Sequence, residues 1–139
     1  MDHLSPQDRS ENMRRVRGKD TAPEHLVRRA LHAMGLRFRL HRRDLPGRPD
    51  IVLPRRRTIL FVHGCFWHRH SGCRRSSDPA TRPDFWTAKF ERTVRRDREQ
   101  VAALRALGWR VEIIWECEAR APDRLRSRLG EIFPDAAVG

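Results

Sequence analysis

Apolar positions recur at helical and strand spacings in a definite order along the chain. Thr21-Ala-Pro-Glu24 has the form of a helix start, with a Thr cap, an early Pro, and Glu three residues after the cap. Leu26, Val27, Ala30, Leu31 and Met34 follow at helical spacing, and Gly35 can end the helix. Leu36, Phe38 and Leu40 then alternate with Arg37, Arg39 and His41, the pattern of a half-exposed strand. After the turn Leu45-Pro-Gly-Arg-Pro49, the runs Asp50–Leu53 and Thr58–Val62 flank the breaker Pro54-Arg-Arg-Arg57 and predict a hairpin. The second run is apolar throughout, which predicts the central strand.

Residues 63–82 have no useful periodicity and predict a long loop, which in a compact domain is functional or tied down. Asp84 to Leu107 reads as a helix with Phe90, Val94, Val101 and Leu104 on one stripe, and Asp97 falls on that same stripe. Gly108 stops it, Trp109–Trp115 is a further strand, and Pro122 opens a last helix with Leu125, Leu129 and Ile132 inward. The order α-β-β-β-α-β-α predicts one α/β (α+β) domain over residues 21–139, a small mixed sheet with helices packed on it. Residues 1–20 offer only Leu4, Met13 and Val16 as sizeable apolar side chains and are read as an arm that cannot bury itself.

Charge narrows the partner. The 139 residues carry a net charge of +12, with 35% charged and 38% apolar residues. Such a surface attracts polyanions through counterion release. Only Lys19 and Lys89 of the thirty basic residues are lysines. That bias suits bidentate phosphate contacts, although GC-rich coding explains it equally well. Residues 1–57 hold 15 basic and 7 acidic side chains, and 58–107 hold 10 and 5. Residues 108–139 hold 5 and 6, which argues against a binding face there. No apolar run approaches a membrane span and the first residues are not signal-like. Three cysteines, an odd number, disfavour a secreted disulfide scaffold and suit a cytoplasmic protein whose thiols serve otherwise.

The thiols suggest a metal. Cys65, His70, Cys73 and the distant Cys117 supply three thiolates and one imidazole, a closed tetrahedral set for a structural zinc. The alternative is three free cysteines and a surface histidine, with His68 as a rival to His70. Phosphodiester hydrolysis needs an activated water and positive charge on the phosphorane, and candidates cluster around the hairpin. Asp50 could hold Mg²⁺, or simply end a turn. His63 and His68 follow the central strand, and Glu24 could reach the same end of the sheet, although a capping box explains it as well. Asp97 on an apolar stripe needs a partner, and orienting a catalytic imidazole would supply one. Phe66-Trp67 and Phe85-Trp86 flank the basic loop. Such side chains can wedge between base pairs or fill a core. For Phe85 the core is the expectation.

These residues carry a family resemblance. Arg9-Ser-Glu-Asn-Met-Arg14, Asp20–Glu24, Leu45–Asp50, His63-Gly-Cys-Phe-Trp-His68, Pro79–Arg82, Phe85-Trp86, Arg96-Asp97, Gly108–Val111 and Trp115-Glu-Cys117 resemble the very short patch repair endonucleases, in order from about residue 9 to 118. The resemblance implies a restriction-endonuclease-like fold and Mg²⁺-dependent nicking of duplex DNA, 5′ to the thymine of a T:G mismatch left by deamination of 5-methylcytosine. It implies that Asp50 binds Mg²⁺ together with the Val62 backbone carbonyl, that His68 is the general base, and that His63, Asp97 and Glu24 support the site. Cys65, His70, Cys73 and Cys117 would hold zinc. Phe66, Trp67 and Trp86 would enter the DNA from one groove, with Met13, Arg14 and Val16 of the arm at the other. A monomer acting on the nucleoid, in company with mismatch repair proteins, completes the expectation.

Two positions depart from the family. Val62 stands where Thr is common, and Ser71-Gly72 makes the His70–Cys73 spacing one residue longer. Two other readings compete: a non-catalytic zinc-bearing DNA-binding module, and an ordinary restriction endonuclease of the same fold. The strand after Asp50 lacks an acidic-x-Lys pattern, which counts against the second.

Overall fold

A computed structural model describes residues 21–76 and 82–136. The first helix, α1, spans Ala22–Ala33 and starts as the sequence predicts. The Thr21 hydroxyl accepts from the Glu24 N–H at 3.3 Å, and Gly35 takes φ +75° just beyond the end. Val27 and Leu31 are fully buried.

The expected strand over 36–40 shrinks to β1, Arg39–Leu40, and both of its residues are exposed. Its partner β2, Ile51–Leu53, is only three residues long, so pairing stops at Arg39↔Val52 and Leu40↔Ile51. Leu36 and Phe38 instead pack on the core, the latter stacked on His32.

The hairpin is present. A single 3₁₀ turn, Pro54–Arg56, leads through left-handed Arg57 into β3, Thr58–His63. β3 lies between β2, antiparallel, and β4, Arg110–Trp115, parallel. A parallel neighbour requires a crossover. The chain makes it through the loop after His63 and the 24-residue helix α2, Pro83–Ala106. Two helices follow β4: the short α3, Glu116–Ala119, which the periodicity does not reveal, and α4, Pro122–Ile132.

Period-two alternation sorts the core into two layers. Ile51, Leu53, Leu60 and Ile114 meet Val27, Leu31, Leu125, Leu129 and Ile132 on the α1/α4 face. Val52, Ile59, Phe61 and Val111 meet Leu104 of α2 on the other face. The sheet is therefore sandwiched, the mixed α/β plan expected from the element order. Because β2 runs against β3 and β4 runs with it, three chain positions share one end of the sheet. These are the start of β2, the exit of β3 and the exit of β4.

Candidate active site and metal centre

The exits of β3 and β4 bring the thiols together. Cys65 lies two residues past β3 and Cys117 in the first turn of α3, and the Cys117 N–H donates to Cys65 Sγ at 3.4 Å. His70 Nδ1 lies 3.7 Å from Cys65 Sγ and 3.5 Å from Cys117 Sγ. With Cys73 Sγ these ligand atoms all fall within 4.8 Å of one another, a donor set and spacing that suit a four-coordinate, closed zinc-type site. Burial pushes the Cys65 thiol up to about 12, so its thiolate needs a cation beside it. The extra residue is absorbed by a turn: Gly72 takes φ +71° and the Cys73 N–H donates to the His70 carbonyl at 3.3 Å.

His68 does not compete for that cluster. Its Nδ1 is 2.6 Å from Asp97 Oδ2, across 29 residues of sequence. Asp97 projects from the middle of α2, the helix on the β3 face that carries Phe61 and His63. Its place on the apolar stripe is thus explained by an imidazole partner. The contact makes Nδ1 the donor nitrogen and leaves Nε2 as the basic one. His63 is 5% exposed, and burial followed by the proximity of His68 lowers its pKa to about 3. Its ring lies parallel to that of His68, centroids 3.8 Å apart, and its Nδ1 has no hydrogen-bond partner among the described residues.

One residue back along β3, the Val62 N–H donates to Asp50 Oδ2 at 2.8 Å. In an extended strand a residue's N–H and C=O point the same way, so the Val62 carbonyl faces the Asp50 side as well. Burial raises the Asp50 carboxyl to about 7, and the neighbouring Glu24 carboxylate pushes in the same direction against the Val62 N–H. Two carboxylates kept close in a buried place fit a divalent cation. Glu24 gives only half a capping box: its N–H serves Thr21, while its carboxylate accepts from Arg28 and lies 2.9 Å from His41 Nε2. In the sequence His41 stands only as a polar position in an alternating run. Its ligand nitrogen lies within 4.8 Å of the Glu24 and Asp50 oxygens.

The aromatic residues of the loop and of α2 form one cluster. Phe66 meets Trp67, Trp86 and Phe90 edge-on at centroid distances of 5.2, 5.8 and 5.3 Å. Trp67 is 6% exposed, with the Lys89 ammonium 5.2 Å above its ring. Phe85, expected in the core, is 45% exposed. It sits in the first turn of α2, where Arg82 covers its ring at 4.8 Å. Met13, Arg14 and Val16, with the whole arm 1–20, lie outside the described residues.

Residues 1–75 match the family model described as DNA mismatch endonuclease Vsr. A type II nicking enzyme of Xanthomonas oryzae pv. oryzae is 53% identical over 132 residues, covering 95% of this chain and 96% of that relative. The DNA mismatch endonuclease Vsr of Escherichia coli is 46% identical over 117 residues, 84% of this chain and 74% of the relative. A type II nicking enzyme of Neisseria meningitidis serogroup A is 37% identical over 131 residues, 94% and 93% of the two chains.

Proposed function

Since the chain belongs to the family of the DNA mismatch endonuclease Vsr, and is a DNA-nicking endonuclease, we propose that it cuts duplex DNA 5′ to the thymine of T:G mismatches in a Mg²⁺-dependent reaction. One observation carries the reading: the His68–Asp97 pair stands at the same sheet end as the Asp50–Glu24 carboxylates, with Val62 and His63 as consecutive residues between them.

Each side chain then has a task. Asp50, the Val62 carbonyl and Glu24 would hold the catalytic ion, and Cys65, His70, Cys73 and Cys117 would hold a structural zinc. When bound, Mg²⁺ supplies Lewis-acid stabilisation of the phosphorane and of the departing oxygen. His68 Nε2 takes the proton from the attacking water as its oxygen bonds to phosphorus. Asp97 keeps the proton on Nδ1 and steadies the imidazolium that forms. Neutral His63 backs the ring without adding charge. Phe66, Trp67 and Trp86 enter the base stack, where a mispair costs least to open. Met13, Arg14 and Val16 approach from the opposite groove. The substrate arises by deamination of 5-methylcytosine, and the enzyme works as a monomer on the nucleoid beside mismatch repair proteins.

A nicking assay on matched and T:G duplexes with Mg²⁺, run with wild type and His68→Ala, tests the proposal. Mismatch-dependent nicking that His68→Ala loses supports it. Equal cutting of paired DNA supports a restriction enzyme of the same fold instead.

A further inference from the structure

His41 sits where a third ligand to the catalytic ion would be. The residue directly follows β1 in the left-handed region, φ +48°, a conformation uncommon outside glycine. Its backbone N–H donates to the Asp50 carbonyl at 3.1 Å, so its ring is tied to the main chain of the carboxylate it faces. Nε2 lies 2.9 Å from Glu24 Oε2, and the three ligand atoms of Glu24, His41 and Asp50 fall within 4.8 Å of one another. Glu24 is nearly enclosed, its side chain 2% exposed, whereas the His41 ring keeps 18% and borders solvent. An ion arriving from solvent therefore meets an imidazole and two carboxylates around one small space.

We propose that His41 Nε2 is a protein ligand of the catalytic ion and that the site consequently prefers Mn²⁺ to Mg²⁺. The proposal rests on the reading that Asp50 and Glu24 hold that ion. Mg²⁺ demands near-ideal octahedral geometry and oxygen donors, and an imidazole adds little to its binding. Mn²⁺ shares the preference of Mg²⁺ for carboxylate and carbonyl oxygens, but as a first-row transition ion it gains more from an added imidazole than Mg²⁺ does. For Nε2 to bind the ion its lone pair must be free, so the ring proton sits on Nδ1 and the Glu24 contact is exchanged for the ion.

The test uses the full chain with zinc retained and other divalent ions removed. Mn²⁺ is titrated and free ion read by electron paramagnetic resonance, with Mg²⁺ as competitor, for wild type, His41→Gln and Asp50→Asn. Nitrogen coupling is read on bound Mn²⁺ by electron spin echo envelope modulation. The expected result is at least about tenfold tighter Mn²⁺ than Mg²⁺ binding in wild type, with ¹⁴N coupling. His41→Gln loses that coupling and weakens Mn²⁺ by about 10–100-fold, with Mg²⁺ changed less than about threefold. Asp50→Asn weakens both ions. Nitrogen coupling absent from wild type, or retained in His41→Gln, overturns the ligand assignment. Asp50→Asn weakening both ions beside an unchanged His41→Gln overturns it too, and leaves the carboxylate site standing. Unchanged binding in both variants overturns the carboxylate site as well.

Discussion

His63 and His68 lie face to face, ring centroids 3.8 Å apart and planes within 9° of parallel. Two stacked imidazoles at that distance cannot both carry charge cheaply, and burial decides which stays neutral. His63, held near 3, is uncharged throughout the physiological range. His68 is half-buried and paired to Asp97 through Nδ1, so its Nε2 is the ring nitrogen not engaged by that carboxylate.

A division of labour follows that kinetics can read. His68→Ala should lower single-turnover nicking by about 10²–10⁴-fold, the usual contribution of a positioned base. Asp97→Asn keeps the ring but loses the charged partner, and should cost about 10–100-fold. A His68→Ala enzyme within threefold of wild type would remove the base assignment.

Asp50 predicts a trade between stability and activity in the metal-free chain. Its folded carboxyl titrates near 7, above the roughly 3.9 expected when unfolded. Below both values each state is protonated and nothing is lost. As pH rises between them the unfolded state releases its proton first, and the folded state becomes relatively less stable. Above 7 the destabilisation is complete, of the order of 2–4 kcal/mol. Asp50→Asn should therefore abolish nicking and raise the metal-free stability above pH 7 by about 1–3 kcal/mol, a gain that shrinks toward pH 5. Urea titrations of both proteins across that window check the sign. A variant less stable than wild type at pH 8 contradicts it.

The metal cluster should hold more than its own loop. The His70 ring stacks on Trp115, 4.2 Å apart and 11° from parallel, and the edge of Trp115 meets His63 at 5.5 Å. Residues 64–76 contain only turns and one short 3₁₀ segment, so side-chain anchors such as Trp67, His68 and the four metal ligands fix them in place of a regular ladder. Removing zinc with a chelator should lower the melting temperature by roughly 10 °C, the effect of a few kcal/mol in a chain of this size. One equivalent of zinc should be released to a chromophoric reporter. Trp115→Leu should slow nicking while retaining that zinc. Unchanged melting after complete release would leave the cluster without a structural role.

The sequence signals that survived folding were those repeated over many residues or carried by a rare type. The stripe of α2, the all-apolar β3 and the three cysteines are of this kind. Asp97 was legible because a carboxylate on an apolar stripe demands a partner, and the partner is His68. His41 was not legible, since it closes a run of alternating polar and apolar residues and reads as one more solvent-facing side chain. Its position depends on a left-handed backbone and on a bond to Asp50, neither of which a pattern encodes. β1 was overestimated for a related reason: alternation marks a half-buried segment, but pairing length is set by the partner strand, here three residues. Phe85 is expected in the core, whereas the first turn of α2 places it outward, 45% exposed.

Phe85 and Trp67 should consequently behave in opposite ways when truncated. Phe85→Ala removes a ring that solvent already reaches, and should change unfolding free energy by less than about 0.5 kcal/mol. Trp67→Ala opens a hole among Phe66, Trp86 and the Lys89 side chain, and should cost about 3–5 kcal/mol. If Trp67 also enters the base stack, it must leave this cluster, so DNA and the protein interior compete for the same indole. Its fluorescence should then shift on binding T:G duplex in the presence of Ca²⁺, and Trp86→Phe should leave part of that shift in place. Trp67→Phe, which keeps an aromatic surface, should restore most of the stability lost in Trp67→Ala while binding mismatched DNA more weakly than wild type. Full recovery of both properties would mean that the cluster needs only apolar volume here, and that the indole itself is not read by DNA.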